Sequence, residues 1–181
     1  MESLYGNVSA SVWQKAQNIK LFVCDIDGVF SDGRIYLGNN GEELKAFHTK
    51  DGYGVKALGA SGVDVAVITG RKSNIVQTRM TALNVKHIVQ GEENKLPALK
   101  AMAAALQLAP EQIAYIGDDM PDFDCLNYVG LSIAVNDAHP AILNLCDYTT
   151  YTRGGFGAVR EICDIIMQSQ NTLADATGAS I

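Results

Sequence analysis

The chain has 181 residues and a formal net charge of −6, and it is long enough for one domain with its own hydrophobic core. Apolar residues make up 48% and charged residues 19% of the chain, a balance that excludes a largely disordered protein. Because the chain is acidic, it lacks the general positive field that attracts nucleic acids and anionic membranes, so we expect neither as a partner.

Strands alternate with helices along most of the chain. Residues 1–19 are mixed and polar, and we treat them as an N-terminal extension to a domain over residues 20–170. Residues 171–181 are expected to form a flexible C-terminal tail. The predicted elements are a strand over 20–24, a β-hairpin with arms over 34–37 and 43–47, a helix over 51–60, a strand over 63–68, a helix over 73–83, a strand over 86–89, a helix over 96–108, a strand over 112–116, a helix over 122–129, a strand over 131–135 and an amphipathic helix around 159–167.

This alternation predicts an α/β fold of the Rossmann-like, doubly wound type. We expect a mostly parallel sheet with helices on both faces, and the hairpin as a flap. In such folds the active site lies at the carboxyl ends of the strands. The residues that follow the strands are therefore the first candidates for function.

Polar motifs end three of the predicted strands. They are residues 25–28 (Asp-Ile-Asp-Gly), residues 69–71 (Thr-Gly-Arg) and residues 117–119 (Gly-Asp-Asp), and Asp122 follows shortly after the last. In a parallel sheet these motifs meet at one edge, and Lys95 precedes a helix that could point to the same place. Several carboxylates held together repel one another, and a hard divalent cation such as Mg²⁺ relieves that repulsion.

These residue types suit phosphate transfer. Asp25 can attack phosphorus as a nucleophile, which splits a difficult hydrolysis into two easier steps. Asp27 can protonate the leaving oxygen and then activate water. Thr69 and Lys95 can hold the phosphoryl oxygens. Asp118 can hold the metal ion, with Asp119 or Asp122 supporting it.

These three motifs, with Lys95 between the second and the third, resemble those of the haloacid dehalogenase superfamily of phosphatases. Many members carry a cap domain, but the intervals from Asp27 to Thr69 and from Thr69 to Lys95 are too short for one. The chain therefore resembles the capless members, in which a neighbouring subunit covers the active site.

Four further segments narrow the resemblance: residues 27–33, 47–52, 68–71 and 153–161. They are similar to segments of the phosphatases that act on 3-deoxy-D-manno-octulosonate 8-phosphate in lipopolysaccharide precursor biosynthesis. The resemblance implies Mg²⁺ bound by Asp25, by Asp27 through its backbone carbonyl, and by Asp118. It also implies that the substrate-binding residues are Asp27, His48, Thr49, Lys50, Asp51, Gly52, Lys56, Arg71, Arg79 and Lys95.

The same resemblance implies an assembly. The hairpin over residues 34–47 would form a barrel at the centre of a homotetramer, and residues 153–157 and the tail would approach a neighbour's site. The eight-carbon substrate carries a carboxylate that Arg71 or Arg79 could grip through two hydrogen bonds.

Several interpretations stay open from the sequence. Arg79, Lys56 and His48 could equally be ordinary surface residues. The glycines in residues 154–157 could cradle phosphate, or form a turn before the last helix. A phosphatase of a nine-carbon, sialic-type 9-phosphate would share every catalytic residue. A non-catalytic assembly protein should have lost an essential acid, and a phosphomutase would normally need a cap.

The cysteines and the N-terminus indicate the compartment. The four cysteines form no CxxC pair of the kind that binds zinc, and buried free thiols are typical of a reducing environment. The N-terminus lacks the pattern of a signal peptide, and no apolar run is long enough to span a bilayer. We therefore expect a cytoplasmic protein.

Overall fold

The structure, a computed structural model, describes residues 1–176. Residues 177–181 of the predicted tail lie outside the described residues, whereas Leu173–Asp175 form a short 3₁₀ turn. The elements are, in chain order, β1 (Glu2–Ser3), β2 (Gly6–Asn7), α1 (Ala10–Gln17), β3 (Leu21–Cys24), β4 (Tyr36–Leu37), β5 (Glu43–Leu44), α2 (Thr49–Ala60), β6 (Asp64–Thr69), α3 (Asn74–Ala82), β7 (His87–Gln90), α4 (Lys95–Ala105), β8 (Ile113–Gly117), α5 (Phe123–Tyr128), β9 (Leu131–Ala134), α6 (Pro140–Leu145), β10 (Tyr148–Thr149) and α7 (Ala158–Ser169).

A parallel sheet of six strands forms the centre of the described chain, in the order β10-β9-β8-β3-β6-β7. Its neighbouring strands are all parallel. Helices α1 and α2 pack against α7, and α4 packs against α5. The predicted doubly wound α/β fold is confirmed, and the described residues contain no separate cap domain.

The order of the strands places the site. After β3 the chain builds β6 and β7 on one side, and it then returns to add β8, β9 and β10 on the other. In open sheets of this kind, the crevice for a ligand lies where the order reverses, at the carboxyl ends of the strands. Here that point is the end of β3, between β6 and β8.

The central strands are hydrophobic because they are covered on both faces. All four residues of β3 are buried, as are all five residues of β8. Such continuous apolar runs are typical of parallel strands, whereas alternation is typical of sheets with one wet face. Helix α7 buries the apolar positions that its sequence pattern predicts, including Val159, Ile162 and Ile166.

Residues 1–19 contribute to the core, although the sequence suggested an extension that need not do so. Val8, Val12, Ala16 and Ile19 are at most 4% exposed. Helix α1 begins after Ser9, whose side chain accepts a hydrogen bond from the Val12 N–H, and it packs on α7. The buried positions follow one another at intervals of four, four and three residues, so the sequence does carry the pattern of an amphipathic helix here.

Two elements near the C-terminus had no counterpart in the sequence-based prediction. Helix α6 has six residues and the edge strand β10 has two. Elements this short carry too few residues to show a period of 3.6 or 2. Strand β10 pairs with β9 through Tyr148 and Ile133, and it completes one edge of the sheet.

The predicted hairpin is present with shorter arms. Tyr36 pairs with Leu44 and Leu37 with Glu43 in antiparallel register. Leu37 and Leu44 are 72% and 66% exposed, so the hairpin presents apolar side chains to its surroundings. None of the helices within residues 1–176 is long and apolar enough to cross a bilayer.

Candidate active site

The structure brings the three sequence motifs and Lys95 together at the end of β3. Asp25 directly follows β3, Thr69 is the last residue of β6, Asp118 directly follows β8, and Lys95 is the first residue of α4. They surround a cavity of about 450 Å³. The residues that line it are Asp25, Asp27, Thr69, Gly70, Arg71, Glu93, Lys95, Asp118, Asp119, Pro121 and Asp122.

Lys95 lies between two carboxylates at the bottom of this cavity. Its Nζ atom is 2.9 Å from Asp25 Oδ1 and 2.7 Å from Asp122 Oδ1. The Lys95 side chain is 3% exposed and that of Asp122 is 1% exposed. The ammonium group is thus held at one position beside Asp25 by an almost completely buried partner.

Asp122 is fully used by hydrogen bonds within the protein. Its Oδ1 also accepts a hydrogen bond from the Tyr115 hydroxyl at 2.7 Å, and its Oδ2 accepts one from the Asp118 N–H at 3.1 Å. Asp122 therefore positions Lys95 and the backbone of Asp118. Sequence reasoning missed Tyr115, because a tyrosine in a buried strand looks like an ordinary core residue.

Two carboxyl groups of the site are harder to ionise than usual. Burial raises the pKa of Asp25 to about 7; the charge of Asp122 adds to this and Lys95 opposes it. Burial also raises the pKa of Asp118 to about 8, and the charges of Asp25 and Asp122 add to the effect. A bound cation favours the ionised forms of all these groups.

The residues at this point fit a magnesium ion. Carboxylate oxygens of Asp25, Asp118 and Asp122 lie within 4.8 Å of one another. Asp25 Oδ1 is buried and accepts no hydrogen bond among the described residues, although Lys95 is close. Hard oxygen donors of this kind suit Mg²⁺. Because Asp122 already has its own partners, Asp25 and Asp118 are the carboxylates available to an ion.

The turn after β3 makes room for Asp118 because it has a glycine at position 28. Gly28 has φ +91°, and a Cβ there would lie 2.1 Å from Asp118 Oδ2. The turn is covered by residues 153–157: a Cβ on Gly154 would lie 1.7 Å from the Gly28 carbonyl oxygen. The N–H groups of Gly154 and Gly155 donate to Asp137 Oδ1 and to the Val29 carbonyl. These glycines therefore pack one loop on another, as in the turn interpretation.

The predicted substrate-binding residues divide into two groups. Asp27, Arg71 and Lys95 line the cavity. The others lie outside its wall, at the N-cap of α2, within α2 or on α3: His48, Thr49, Lys50, Asp51, Gly52, Lys56 and Arg79. His48 caps α2, since its Nδ1 accepts a hydrogen bond from the Lys50 N–H. The role of this second group in binding stays a prediction.

Comparisons with known proteins agree with this geometry. A family profile described as haloacid dehalogenase-like hydrolase matches residues 71–162. The 3-deoxy-D-manno-octulosonate 8-phosphate phosphatase KdsC of Yersinia pestis is 51% identical over 181 residues, which cover 100% of this chain and 97% of the relative. The chain belongs to the haloacid dehalogenase-like hydrolases.

Solved structures of this hydrolase family match over nearly the whole length. The crystal structure of the phosphatase from Yersinia pestis has a TM-score of 0.98 and 51% identity, and the match covers 100% of this chain and 98% of that one. The Moraxella catarrhalis phosphatase, solved with a magnesium ion, a phosphate ion and a KDO molecule, has a TM-score of 0.91 and 41% identity. That match covers 93% of this chain and 97% of the other.

Asp51 in this hydrolase is turned towards the interior. It is 1% exposed, and its Oδ1 accepts a hydrogen bond from the Arg160 N–H at 2.8 Å, which joins the starts of α2 and α7. Its Oδ2 is buried and accepts no hydrogen bond among the described residues. Burial raises the pKa of Asp51 to about 7, although the Arg160 backbone and several cations oppose this.

We expect Asp51→Asn to stabilise the protein at pH 8 and to change little at pH 4. The folded-state pKa of about 7 lies above the ordinary value of 3.8, so the folded state retains a proton that the unfolded state loses. The native protein therefore loses stability as the pH rises from 4 to 7. Asparagine keeps the acceptor for Arg160 and has no charge to bury. Thermal unfolding of both proteins at pH 4, 6 and 8 measures the difference, and a difference that does not grow with pH would contradict the assignment.

Two charged residues of the hairpin reach the site, and sequence reasoning missed both. The Lys45 side chain is 1% exposed and pairs with Asp27. Glu43 Oε2 lies 3.2 Å from Arg71 Nη2. Charged residues in a hairpin arm usually indicate only a solvent-exposed face. The sequence therefore carries no signal that Lys45 and Glu43 contact residues of the site.

Proposed function

We propose that this chain is a magnesium-dependent phosphatase that hydrolyses 3-deoxy-D-manno-octulosonate 8-phosphate to the free sugar acid and phosphate, in lipopolysaccharide precursor biosynthesis. The observation that carries the proposal is the convergence of Asp25, Lys95 and Asp118 at the end of β3. Full-length similarity to phosphatases named for this substrate supports the choice of sugar acid.

The chemistry proceeds in two displacements. A carboxylate oxygen of Asp25 attacks phosphorus, the bond from phosphorus to the sugar oxygen breaks, and Asp27 gives a proton to the leaving oxygen. Asp27 then takes a proton from water as that water attacks the aspartyl-phosphate, which releases phosphate and restores Asp25. Lys95 and Thr69 hold the phosphoryl oxygens throughout. A magnesium ion held by Asp25 and Asp118 would supply positive charge against the phosphoryl group when bound.

Arg71 is the proposed contact for the substrate's carboxylate. It lines the cavity, and its side chain is 46% exposed. A guanidinium group can hold a planar carboxylate by two parallel hydrogen bonds. A phosphate at Lys95 and a carboxylate at Arg71 would fix the two charged ends of one sugar acid.

We also propose a cytoplasmic homotetramer in which a neighbouring subunit covers the site. The exposed apolar residues of the hairpin, Ile35, Leu37 and Leu44, support an interface there. The residues around the start of α2 and Arg79 would then complete the wall of the site in the assembled protein. Sedimentation of the protein at several concentrations tests this state.

Phosphate release tests the proposed reaction. The full chain is assayed on 3-deoxy-D-manno-octulosonate 8-phosphate, on a nine-carbon sialic-type 9-phosphate and on common sugar phosphates, each with Mg²⁺ and with EDTA. We expect release from the first substrate, and its loss with EDTA because the carboxylates then lack their counter-charge. Release from another phosphate ester instead would show that the proposed substrate is wrong. No release from any of them would favour a non-catalytic protein.

A further inference from the structure

Glu43 is paired with Arg71, the residue proposed to bind the substrate's carboxylate. Its Oε2 lies 3.2 Å from Arg71 Nη2, so the hairpin is paired here with a residue that closely follows β6. Arg71 lines the catalytic cavity. The arginine thus already holds a carboxylate that belongs to the protein itself.

Lys45 is a second cation near Glu43. Its Nζ atom lies 3.7 Å from Glu43 Oε1, and the same ammonium group pairs with Asp27. Glu43 Oε1 is buried and accepts no hydrogen bond among the described residues. One oxygen of Glu43 is therefore paired with Arg71, while the other has only a distant cation.

We infer that Glu43 is a specificity-determining residue that stands in for the substrate's carboxylate and must yield Arg71 to it. This inference rests on the proposed function. The contact from Glu43 to Arg71 is single and partly exposed, and exposed pairs contribute little stability. A substrate carboxylate that accepts two hydrogen bonds from the guanidinium group binds Arg71 more strongly than Glu43 does. A phosphate without a carboxylate gains nothing from displacing Glu43.

Only a ligand with a carboxylate has to break the contact between Glu43 and Arg71, so only its binding is weakened by Glu43. In Glu43→Gln the competing charge is absent and Arg71 is open to the substrate. We expect KM for the sugar acid phosphate to fall about fivefold, the size of a single exposed ion pair. KM for D-mannose 6-phosphate, which has no carboxylate, should stay the same. Glu43→Ala should give at least as large a fall, because glutamine can still accept one hydrogen bond from Arg71.

A matched control and a double variant isolate the contact. Glu42→Gln makes the same change one residue away, and the glutamine oxygen can still accept the Asn40 N–H that Glu42 binds at 3.1 Å. It should change neither KM. In a protein that already carries Arg71→Gln, adding Glu43→Gln should no longer lower KM for the sugar acid phosphate. An unchanged KM in Glu43→Gln, an equal fall for D-mannose 6-phosphate, or a fall that persists without Arg71 would overturn the inference.

Calorimetric titration with the free sugar acid separates this inference from the reaction itself. If the native chain releases no phosphate from 3-deoxy-D-manno-octulosonate 8-phosphate, the proposed function fails on that result alone. Titration of 3-deoxy-D-manno-octulosonate into the native chain, Glu43→Gln and Glu42→Gln then decides the role of Glu43. Binding about fivefold tighter in Glu43→Gln only supports the inference, and equal or weaker binding, or none in any of the three proteins, overturns it.

Discussion

Asp25→Asn will abolish phosphatase turnover and leave the fold intact. Asparagine has the shape of aspartate, but its amide cannot attack phosphorus or form the covalent intermediate. We expect kcat to fall by about 10⁴-fold or more, the scale seen when a catalytic nucleophile is removed. Phosphate release at saturating substrate and Mg²⁺ measures the loss. A variant with near-native kcat would exclude Asp25 as the nucleophile.

The stability of the same variant tests whether turnover is lost through the missing nucleophile and not through unfolding. Burial raises the pKa of Asp25 from 3.8 to about 7 in the native protein, with Asp122 adding to the effect. The native protein therefore loses stability as the pH rises between these two values, and that loss is complete at pH 8. The amide carries no charge, and in EDTA at pH 8 the variant should unfold no more easily than the native protein. Asp124→Asn is the matched control, because Asp124 is exposed on the first turn of α5. It should retain full activity.

The catalytic carboxylates could be predicted because topology alone brings them together. Asp25, Thr69 and Asp118 each end a strand, and parallel strands share one carboxyl edge. The shared edge follows from parallel strands alone, whereas the meeting of these residues in one cavity also requires that β3 lies between β6 and β8. Lys95 was identified through its place in the series, and the structure adds the reason for its position, which is the buried carboxylate of Asp122.

The contacts between elements far apart in sequence could not be predicted. Tyr115 lies in a strand that looks wholly apolar, and its hydroxyl binds Asp122 only because a turn brings that residue back. Asp51 lies in a polar segment and looks exposed, yet packing of α2 on α7 buries it. Lys45 reaches Asp27 because the hairpin folds over the end of β3. Each of these contacts depends on packing, which local patterns do not encode.

Lys95 is the one cation of the described residues that contacts both Asp25 and Asp122. Burial alone would lower its pKa, but the charges of Asp25 and Asp122 outweigh burial and raise it. The lysine therefore stays charged and offsets the repulsion between the two acids. Its removal leaves buried carboxylates without a counter-charge. Removing one partner of a buried ion pair destabilises a protein far more than the intact pair stabilises it.

We expect Lys95→Met to lower the free energy of unfolding by about 3 kcal/mol in EDTA at pH 8, the lower end of the range for breaking a buried ion pair. Methionine fills most of the lysine's volume, so the loss comes from charge and not from a cavity. At pH 5 the loss should be smaller, because Asp25 and Asp118 have raised pKa values near 7 and 8 and are then protonated. Urea unfolding at both pH values measures the difference. Turnover should fall as well, since the phosphoryl oxygens lose a cation.

Lys100→Met is the control, because Lys100 is exposed on the same helix α4. Its ammonium group lies 5.2 Å from the centre of the Tyr128 ring, a contact worth about 0.5–1 kcal/mol at an exposed site. That variant should lose at most this amount, equally at both pH values, and remain active. Equal stability of Lys95→Met and the native protein at pH 8 would mean that the Lys95 ammonium group offsets no buried charge repulsion in the folded chain. The lysine would then serve only the transferred phosphate, and its loss would lower turnover without lowering stability.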